Sequence, residues 1–217
     1  MFDDGDATVY TGAFPILAAA GFPGVAYINS DRIGNAGRLT EAQLLELDAA
    51  GWDLANHTAT HTDLPTLTEA EQETALATCT AYLEGLGLTR GARHVAFPHG
   101  LYNADTLTAM AATGMLTGRG PGETFIVPSS WTPYEWPGTR ELSATTTPAQ
   151  ARQWFETVRA GEILPILSHV IDEDGNPGGW TTADFTDLVA YVKAKGCRVV
   201  TISQLYDYMQ AGCVWPE

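Results

Sequence analysis

The sequence predicts an α/β fold built around a largely parallel sheet. Short apolar runs alternate with amphipathic runs of helical length along most of the 217 residues, and this alternation is typical of β–α–β units. Polar residues capable of chemistry directly follow several of the apolar runs, as they do at the strand ends of a parallel barrel. No repeat, linker or low-complexity segment divides the chain, so we expect residues 1–217 to form a single domain.

The first half of the chain predicts four strand–helix units. Thr40 stands three residues before Gln43, and Thr68 three residues before Glu71, which is the spacing of a capping box at a helix start. Asn103 is a candidate cap for the fourth helix, and glycines mark several helix ends. The predicted strands cover residues 1–5, 25–28, 52–55 and 93–97, and the predicted helices cover 11–20, 40–50, 68–85 and 103–113.

The second half is less regular. Residues 114–147 are rich in Gly, Pro and Thr, so we expect irregular structure with short strands near Met115 and Phe125. Pro148 suits the first turn of a helix, and Ser203 is a candidate cap for the last one. The expected elements are a helix at 148–160, a strand at 163–168, a Gly-rich loop at 172–180, a helix at 182–195, a strand at 198–202 and a final helix.

Composition and charge exclude some classes of partner. The net charge is −15, with only 11 Lys and Arg residues, whereas a protein that grips nucleic-acid phosphates needs clustered cations. No apolar run approaches the roughly 18 residues of a membrane span. Acidic residues follow Met1 almost at once, so the given chain shows no secretory signal peptide. We expect a neutral or acetylated partner rather than a polyanion.

The three cysteines do not form a zinc-finger pattern. Cys79, Cys197 and Cys213 lack the CxxC spacing of a structural zinc site. Cys79 falls in a predicted helix, where a buried apolar role is expected. Cys197 and Cys213 flank the last predicted strand–helix unit, and the sequence leaves open whether they pair.

The pattern with most chemical content is His57-Thr58-Ala59-Thr60-His61, together with the adjacent acids Asp3 and Asp4. Two imidazoles and a carboxylate can hold a divalent metal and leave positions open for water. An HxxxH pair alone is more often two solvated histidines. A third element, His169 at the end of an apolar run, strengthens the functional interpretation.

These residues together resemble the motifs of the NodB-like polysaccharide deacetylase family, carbohydrate esterase family 4. The segments that carry the resemblance are Phe2 to Gly5, His57 to His61, Ala96 to Gly100 and Leu167 to His169. The resemblance implies a distorted (β/α) barrel. In the family, several apolar residues precede the first motif, and here they are missing. We therefore expect a truncated first strand. Self-association or a larger assembly could supply the missing part of this strand.

The resemblance also implies a role for each matching residue. Asp4, His57 and His61 would bind one divalent metal, with Zn²⁺ favoured and Co²⁺, Mn²⁺ or Ni²⁺ compatible. Asp3 would be the general base and His169 the general acid. The backbone amide of His99 would stabilise the oxyanion, and the neighbouring substrate-side positions would be Pro98, Gly100 and Leu167.

Two departures from the family pattern concern the partners of these groups. Ala96 stands where the family has an arginine that pairs with the base, and Arg140 is either a replacement or a solvated surface residue. The family's fourth motif is absent. Trp131 and Trp136 lie in that stretch, and they either wall a sugar groove or belong to the core. An acid in the same stretch, Glu135 or Glu141, could orient His169.

The expected function is therefore a metal-dependent hydrolase. It would remove N- or O-linked acetyl groups from a glycan, such as a polysaccharide containing N-acetylglucosamine, and we expect an extracellular or surface location rather than a cytoplasmic one. Two alternatives remain from the residues alone. One is a weak or inactive glycan-binding module on the same fold, and the other is an amide or cyclic-amide hydrolase.

Overall fold

The computed structural model describes residues 1–122, 124–136, 140–172 and 179–214. Its strands are short and parallel in every described strand pair. They are β1 (Val25–Ile28), β2 (Asp53–Asn56), β3 (His94–Ala96), β4 (Thr117–Arg119), β5 (Arg140–Glu141), β6 (Ile166–Leu167), β7 (Val170–Asp172) and β8 (Gly179–Thr181).

The strands are arranged as a distorted barrel. The main sheet has the order β1-β2-β3-β4. Phe2 joins this sheet to the β5–β6 pair, because it bridges Ala26 within β1 and Ser168 just after β6. Trp136 borders the other edge of the sheet through a bridge to Arg119. Trp136 thus borders β4, and β5 borders β6.

The described residues contain seven α-helices: α1 (Phe14–Ala20), α2 (Glu41–Ala49), α3 (Glu69–Gly85), α4 (Ala104–Thr113), α5 (Pro148–Thr157), α6 (Thr182–Ala194) and α7 (Ile202–Gln210). The predicted N-terminal caps of α2, α3 and α4 are confirmed. Thr40, Thr68 and Asn103 each accept a hydrogen bond from the amide three residues later, within a capping box. Gly21 ends α1 with φ 76°, a left-handed conformation that glycine adopts without strain.

Several predicted elements were wrong or shorter than expected. No strand is assigned at the described residues 198–201, and Thr201 rather than Ser203 caps α7, through a box with Gln204. Ser203 instead donates its amide and hydroxyl to Asp53 at 2.8 and 3.0 Å. The strand expected near Phe125 is a single bridge between Ile126 and Ile163. Of the predicted loop at 172–180, positions 173–178 lie outside the described residues.

The core lies between the strands and the helices that cover them. Phe2, Trp52 and Phe185 meet there, with the Phe2 and Trp52 rings stacked at 5.7 Å. All three cysteine thiols are free: that of Cys79 is buried, and that of Cys213 is exposed. No described helix combines the length and the apolar character that crossing a membrane requires.

Candidate active site

The residues singled out from the sequence converge at the carboxyl ends of the parallel strands. Asp3 and Asp4 follow Phe2, His57 follows β2, and His169 follows β6. Carboxyl ends of neighbouring parallel strands meet on the same face of a barrel, so residues distant in sequence become neighbours. They line a cleft of about 430 Å³ together with Leu167, His99, Gly100 and residues that the sequence did not single out, among them Arg119, Gly120 and Pro121.

Asp4, His57 and His61 form a cluster with the donor set of a metal site. Their candidate ligand atoms all lie within 4.8 Å of one another. Asp4 Oδ1 stands 3.8 Å from His57 Nε2 and 3.3 Å from His61 Nε2. This oxygen is buried and accepts no hydrogen bond from the described residues. Acceptor atoms converging in this way fit a bound cation, because one ion could be coordinated by all three.

The environment of His57 keeps its ring in a form that is able to bind a metal. Its Nδ1 lies 2.7 Å from the carbonyl oxygen of Ala96, which assigns the proton to Nδ1 and leaves the lone pair on Nε2 facing Asp4. Burial lowers the pKa of His57 to about 4, although the nearby Asp3 carboxylate acts in the opposite direction. The imidazole is therefore neutral at neutral pH, which is the form that binds metals.

The backbone around the cluster is held in unusual conformations. Asp4, Thr58 and His61 have φ values of 70°, 64° and 65°, in the left-handed region that non-glycine residues rarely adopt. Thr58 Oγ1 accepts from the His61 amide at 3.1 Å, and Arg38 donates to the Asp4 carbonyl at 3.0 Å. Such strain persists only where surrounding contacts enforce it, and it is common at functional sites.

Asp3 forms a buried ion pair with Arg119. Nη2 of Arg119 donates to Asp3 Oδ2, and both side chains are almost fully buried. Burial alone would raise the pKa of Asp3, but the Arg119 guanidinium, with His57 and His169, outweighs it, so the pKa lies below its ordinary value. The other oxygen, Oδ1, is buried and accepts no hydrogen bond from the described residues. Asp3 is thus ionised, with a free oxygen available to accept a proton.

Arg119 takes the place that the sequence suggested for Arg140. The Arg140 guanidinium carbon lies 5.9 Å from the ring centroid of Trp154, over the face of that ring. Arg119 ends β4, which belongs to the main sheet, and its guanidinium carbon also lies 5.1 Å from the centre of the Tyr27 ring. The missing family arginine is therefore replaced from the neighbouring strand β4.

His169 pairs with Glu141 at the end of β5. Its Nδ1 lies 3.2 Å from Glu141 Oε1. The hydrogen bond to Glu141 raises the pKa of His169 above its ordinary value despite partial burial. Of the two acids considered from the sequence, Glu135 has another contact, because it accepts from the Tyr102 hydroxyl at 3.0 Å. Glu141 is therefore the carboxylate that orients His169.

The segment Pro98–Gly100 turns sharply at the mouth of the cleft. His99 has a left-handed φ of 52°, and its Nδ1 lies 2.6 Å from Asp63 Oδ1. The His99 ring stands edge-on to the ring of His61 at 4.7 Å. Its side chain is 64% exposed, so a molecule entering the cleft would meet it. The predicted oxyanion role of the His99 amide stays a prediction.

Trp131 and Trp136 belong to the core rather than to the described cleft. Trp136 is 1% exposed. The two rings stack at 6.1 Å, and they pack with a cluster that includes Tyr27 and Ile126. Neither tryptophan is among the residues that line the cleft. The structure thus favours the core alternative for both side chains.

Sequence reasoning missed Arg119 and did not choose between the two glutamates. The signal for Arg119 was present, since Arg119 lies just after Thr117-Gly118, near the short strand expected at Met115. A charged residue at the end of a strand on this face of a barrel is a candidate functional residue, even where it belongs to no motif. The choice of Glu141 needed the pairing of β5 with β6, which aligns Glu141 with Leu167.

Comparison with known proteins agrees with this geometry. The family model described as polysaccharide deacetylase matches residues 1–118. A provisionally named polysaccharide deacetylase, YxkH of Bacillus subtilis (strain 168), is 30% identical over 117 residues, which are 54% of this chain and 42% of that protein. The poly-β-1,6-N-acetyl-D-glucosamine N-deacetylase of a Staphylococcus epidermidis strain is 29% identical over 146 residues, 59% of this chain and 49% of that protein. The matches thus span about half the length of these relatives.

Solved structures show the same fold. A family 4 carbohydrate esterase from Streptomyces lividans, in complex with acetate, superposes with a TM-score of 0.67 at 20% identity, covering 100% of this chain and 95% of that chain. The Streptococcus pyogenes deacetylase PplD, also with acetate, gives 0.63 at 24% identity, covering 70% and 67%. These similarities support the distorted barrel inferred above.

Proposed function

Because the chain belongs to the polysaccharide deacetylase family, we propose that it is a metal-dependent hydrolase that removes acetyl groups from a glycan. The observation that supports this most is the meeting of three arrangements in the same cleft. These are the Asp4–His57–His61 cluster, the Asp3–Arg119 pair and the His169–Glu141 pair. The first suits a metal, the second a general base and the third a general acid.

The metal would be held by Asp4, His57 and His61. When bound, a divalent ion there would act as a Lewis acid on the acetyl carbonyl and lower the pKa of a water in the cleft. Two imidazoles with one carboxylate favour Zn²⁺, and Co²⁺, Mn²⁺ or Ni²⁺ also suit this donor set. Ala96 contributes through its carbonyl oxygen, which fixes the tautomer of His57.

Asp3 would accept the proton of the attacking water. Its pKa lies below its ordinary value, so the carboxylate is ready at neutral pH, and Arg119 holds it in place through Oδ2. Oδ1 remains available for the proton. Arg119 also compensates the buried negative charge of Asp3, whereas an isolated carboxylate in that position would have no compensating positive charge.

His169 would protonate the leaving group. Glu141 favours the protonated imidazole, so that Nε2–H can donate to the nitrogen or oxygen released from the acetyl carbon. The C–N or C–O bond then breaks, giving acetate and a free amine or hydroxyl. Proton donation matters more for an amine, because an unprotonated amine leaves poorly.

A direct test measures acetate release from an N-acetylglucosamine oligomer by the Zn²⁺-loaded protein. Asp3→Asn should keep the metal and lose turnover by about 10²- to 10⁴-fold, the usual contribution of general acid–base catalysis. Acetate release by Asp3→Asn at the parent rate would exclude Asp3 as the base. A panel that includes O-acetylated sugars would assign the linkage.

Two features weigh against the glycan-binding alternative. Ala96 stands where the family has an arginine, and Arg119 takes over the contact with Asp3. Glu141 supplies the carboxylate partner of His169. A module that only binds glycans would need neither pair. Nothing in the described cleft favours the cyclic-amide hydrolase.

We also propose that residues 1–217 form a single catalytic domain.

A separate proposal concerns self-association: another copy of the chain would cover an apolar cavity beside Met1. This cavity has a volume of about 770 Å³ and includes Phe22, Phe155 and Val189 in its lining. A purely monomeric state over a range of concentrations, measured by light scattering, would contradict the assembly.

The proposed glycan substrate supports action outside the cell or at its surface. Localisation of the tagged full-length protein would test this proposal. A purely cytoplasmic signal would contradict it.

A further inference from the structure

Arg32 contacts the metal cluster from outside the cleft. It ends the short 3₁₀ turn Ser30–Arg32, which follows β1. Its Nη1 lies 3.6 Å from Asp4 Oδ1, the same oxygen that faces His57 and His61. Arg32 is not among the residues lining the described cleft, so it has no place in the chemistry proposed above.

We propose that Arg32 competes with the divalent ion for the Asp4 carboxylate, and so makes the site release and exchange its metal readily. Arg32 is in this sense a positioning residue that acts through Asp4. The inference rests on the proposed function, because it takes Asp4, His57 and His61 as the ligands.

The charges around the cluster support this role. The buried Asp3 carboxylate is compensated by Arg119, and the Asp4 carboxylate is faced by Arg32. These two carboxylates and two guanidiniums sum to no net charge, so this local group adds little attraction for a dication beyond the direct ligand bonds.

Both consequences of the Arg32 contact weaken metal binding. If the ion pair persists, a positive charge stays close to the dication and repels it. If the guanidinium moves away, binding must first break the pair with Asp4. The side chains of Arg32 and Asp4 are 34% and 24% exposed, so solvent screens the pair and the effect should be moderate.

Arg38 has a different role. Its Nη1 donates to the backbone carbonyl of Asp4 at 3.0 Å, so it supports the left-handed loop and does not compete for the carboxylate. Arg152 offers a matched control for the change in net charge. It lies on α5, which contributes no lining residue to the described cleft, and its Nη2 faces Asp187 at 4.0 Å.

The test is a Zn²⁺ titration in competition with a chromophoric chelator, at low salt, for the parent and three variants. Arg32→Gln should bind Zn²⁺ about two- to fivefold more tightly, the range expected for a partly exposed ion pair. Arg32→Lys keeps the charge and should stay close to the parent. Arg152→Gln changes the net charge equally and should also match the parent. The gain in Arg32→Gln should shrink as salt rises, because screening weakens the ion pair.

Metal dissociation gives a second readout that does not depend on turnover. Transfer of Zn²⁺ from Arg32→Gln to excess chelator should be slower than from the parent. Equal or weaker binding by Arg32→Gln would overturn the inference and would mean that Arg32 orients Asp4 for the ion. A parent chain that binds no divalent ion would instead overturn the proposed function.

Discussion

The contact between Glu141 and His169 makes a quantitative prediction about pH. In Glu141→Gln the carboxylate that faces His169 Nδ1 at 3.2 Å is replaced by a neutral amide of nearly the same shape. The hydrogen bond to Glu141 is the largest cause of the raised pKa of His169. Removing the charge should therefore lower that pKa, and His169 should lose its proton at a lower pH.

The size of the shift follows from the exposure of the pair. The side chains of His169 and Glu141 are 36% and 44% exposed, so the interaction is discounted towards that of a surface pair, about 0.5–1 kcal/mol. Such an energy changes the proton affinity of His169 by a factor of about two to five. The alkaline limb of the rate–pH profile should move to lower pH accordingly, because a general acid must be protonated to act.

The assay compares profiles of kcat/KM on an N-acetylated sugar and on an O-acetylated one. Glu141→Gln should shift the alkaline limb and slow the amide more than the ester. Glu135→Gln is a matched control, since Glu135 bonds to Tyr102 and lies in the same stretch. An alkaline limb that stays at the parent pH in Glu141→Gln would refute the assignment of His169 as the acid oriented by Glu141.

Three further predictions concern the metal, the base and a buried histidine. His57→Ala should lose stoichiometric Zn²⁺, because only Asp4 and one imidazole remain; one ion per chain after dialysis would contradict the ligand set. Arg119→Met should raise the pKa of Asp3, since burial is then no longer opposed by the guanidinium, and the acid limb should move to higher pH; an unmoved limb would argue against the pair. Burial lowers the pKa of His94 from 6.5 to about 4, so the stability that its neutral form contributes is complete above the unfolded pKa and is lost as the pH falls towards the folded one. Between neutral pH and pH 4, the free energy of unfolding measured in urea should fall by about 2–3 kcal/mol less in His94→Gln than in the parent. Equal decreases in the two proteins would assign the pH dependence to other groups.

Features that depend on neighbouring residues could be predicted from the sequence. The caps at Thr40, Thr68 and Asn103 require only a side chain and an amide three residues away. The short spacing of His57 and His61 brings their rings within 4.8 Å of each other by local geometry. Local chemistry also explains an error: the apolar run at 198–202 predicts a strand, but the capping box of Thr201 begins a helix at Ile202.

The sequence by itself determined the α/β alternation, the positions of the chemically active side chains at strand ends, and the candidate metal ligands. Only the tertiary structure decided which groups meet across the barrel. Arg119 rather than Arg140 reaches Asp3, Glu141 rather than Glu135 faces His169, and Trp136 lies in the core. These choices depend on the order and register of strands far apart in sequence. A side chain's partner across a sheet is set by the neighbouring strand, whose identity local sequence does not encode.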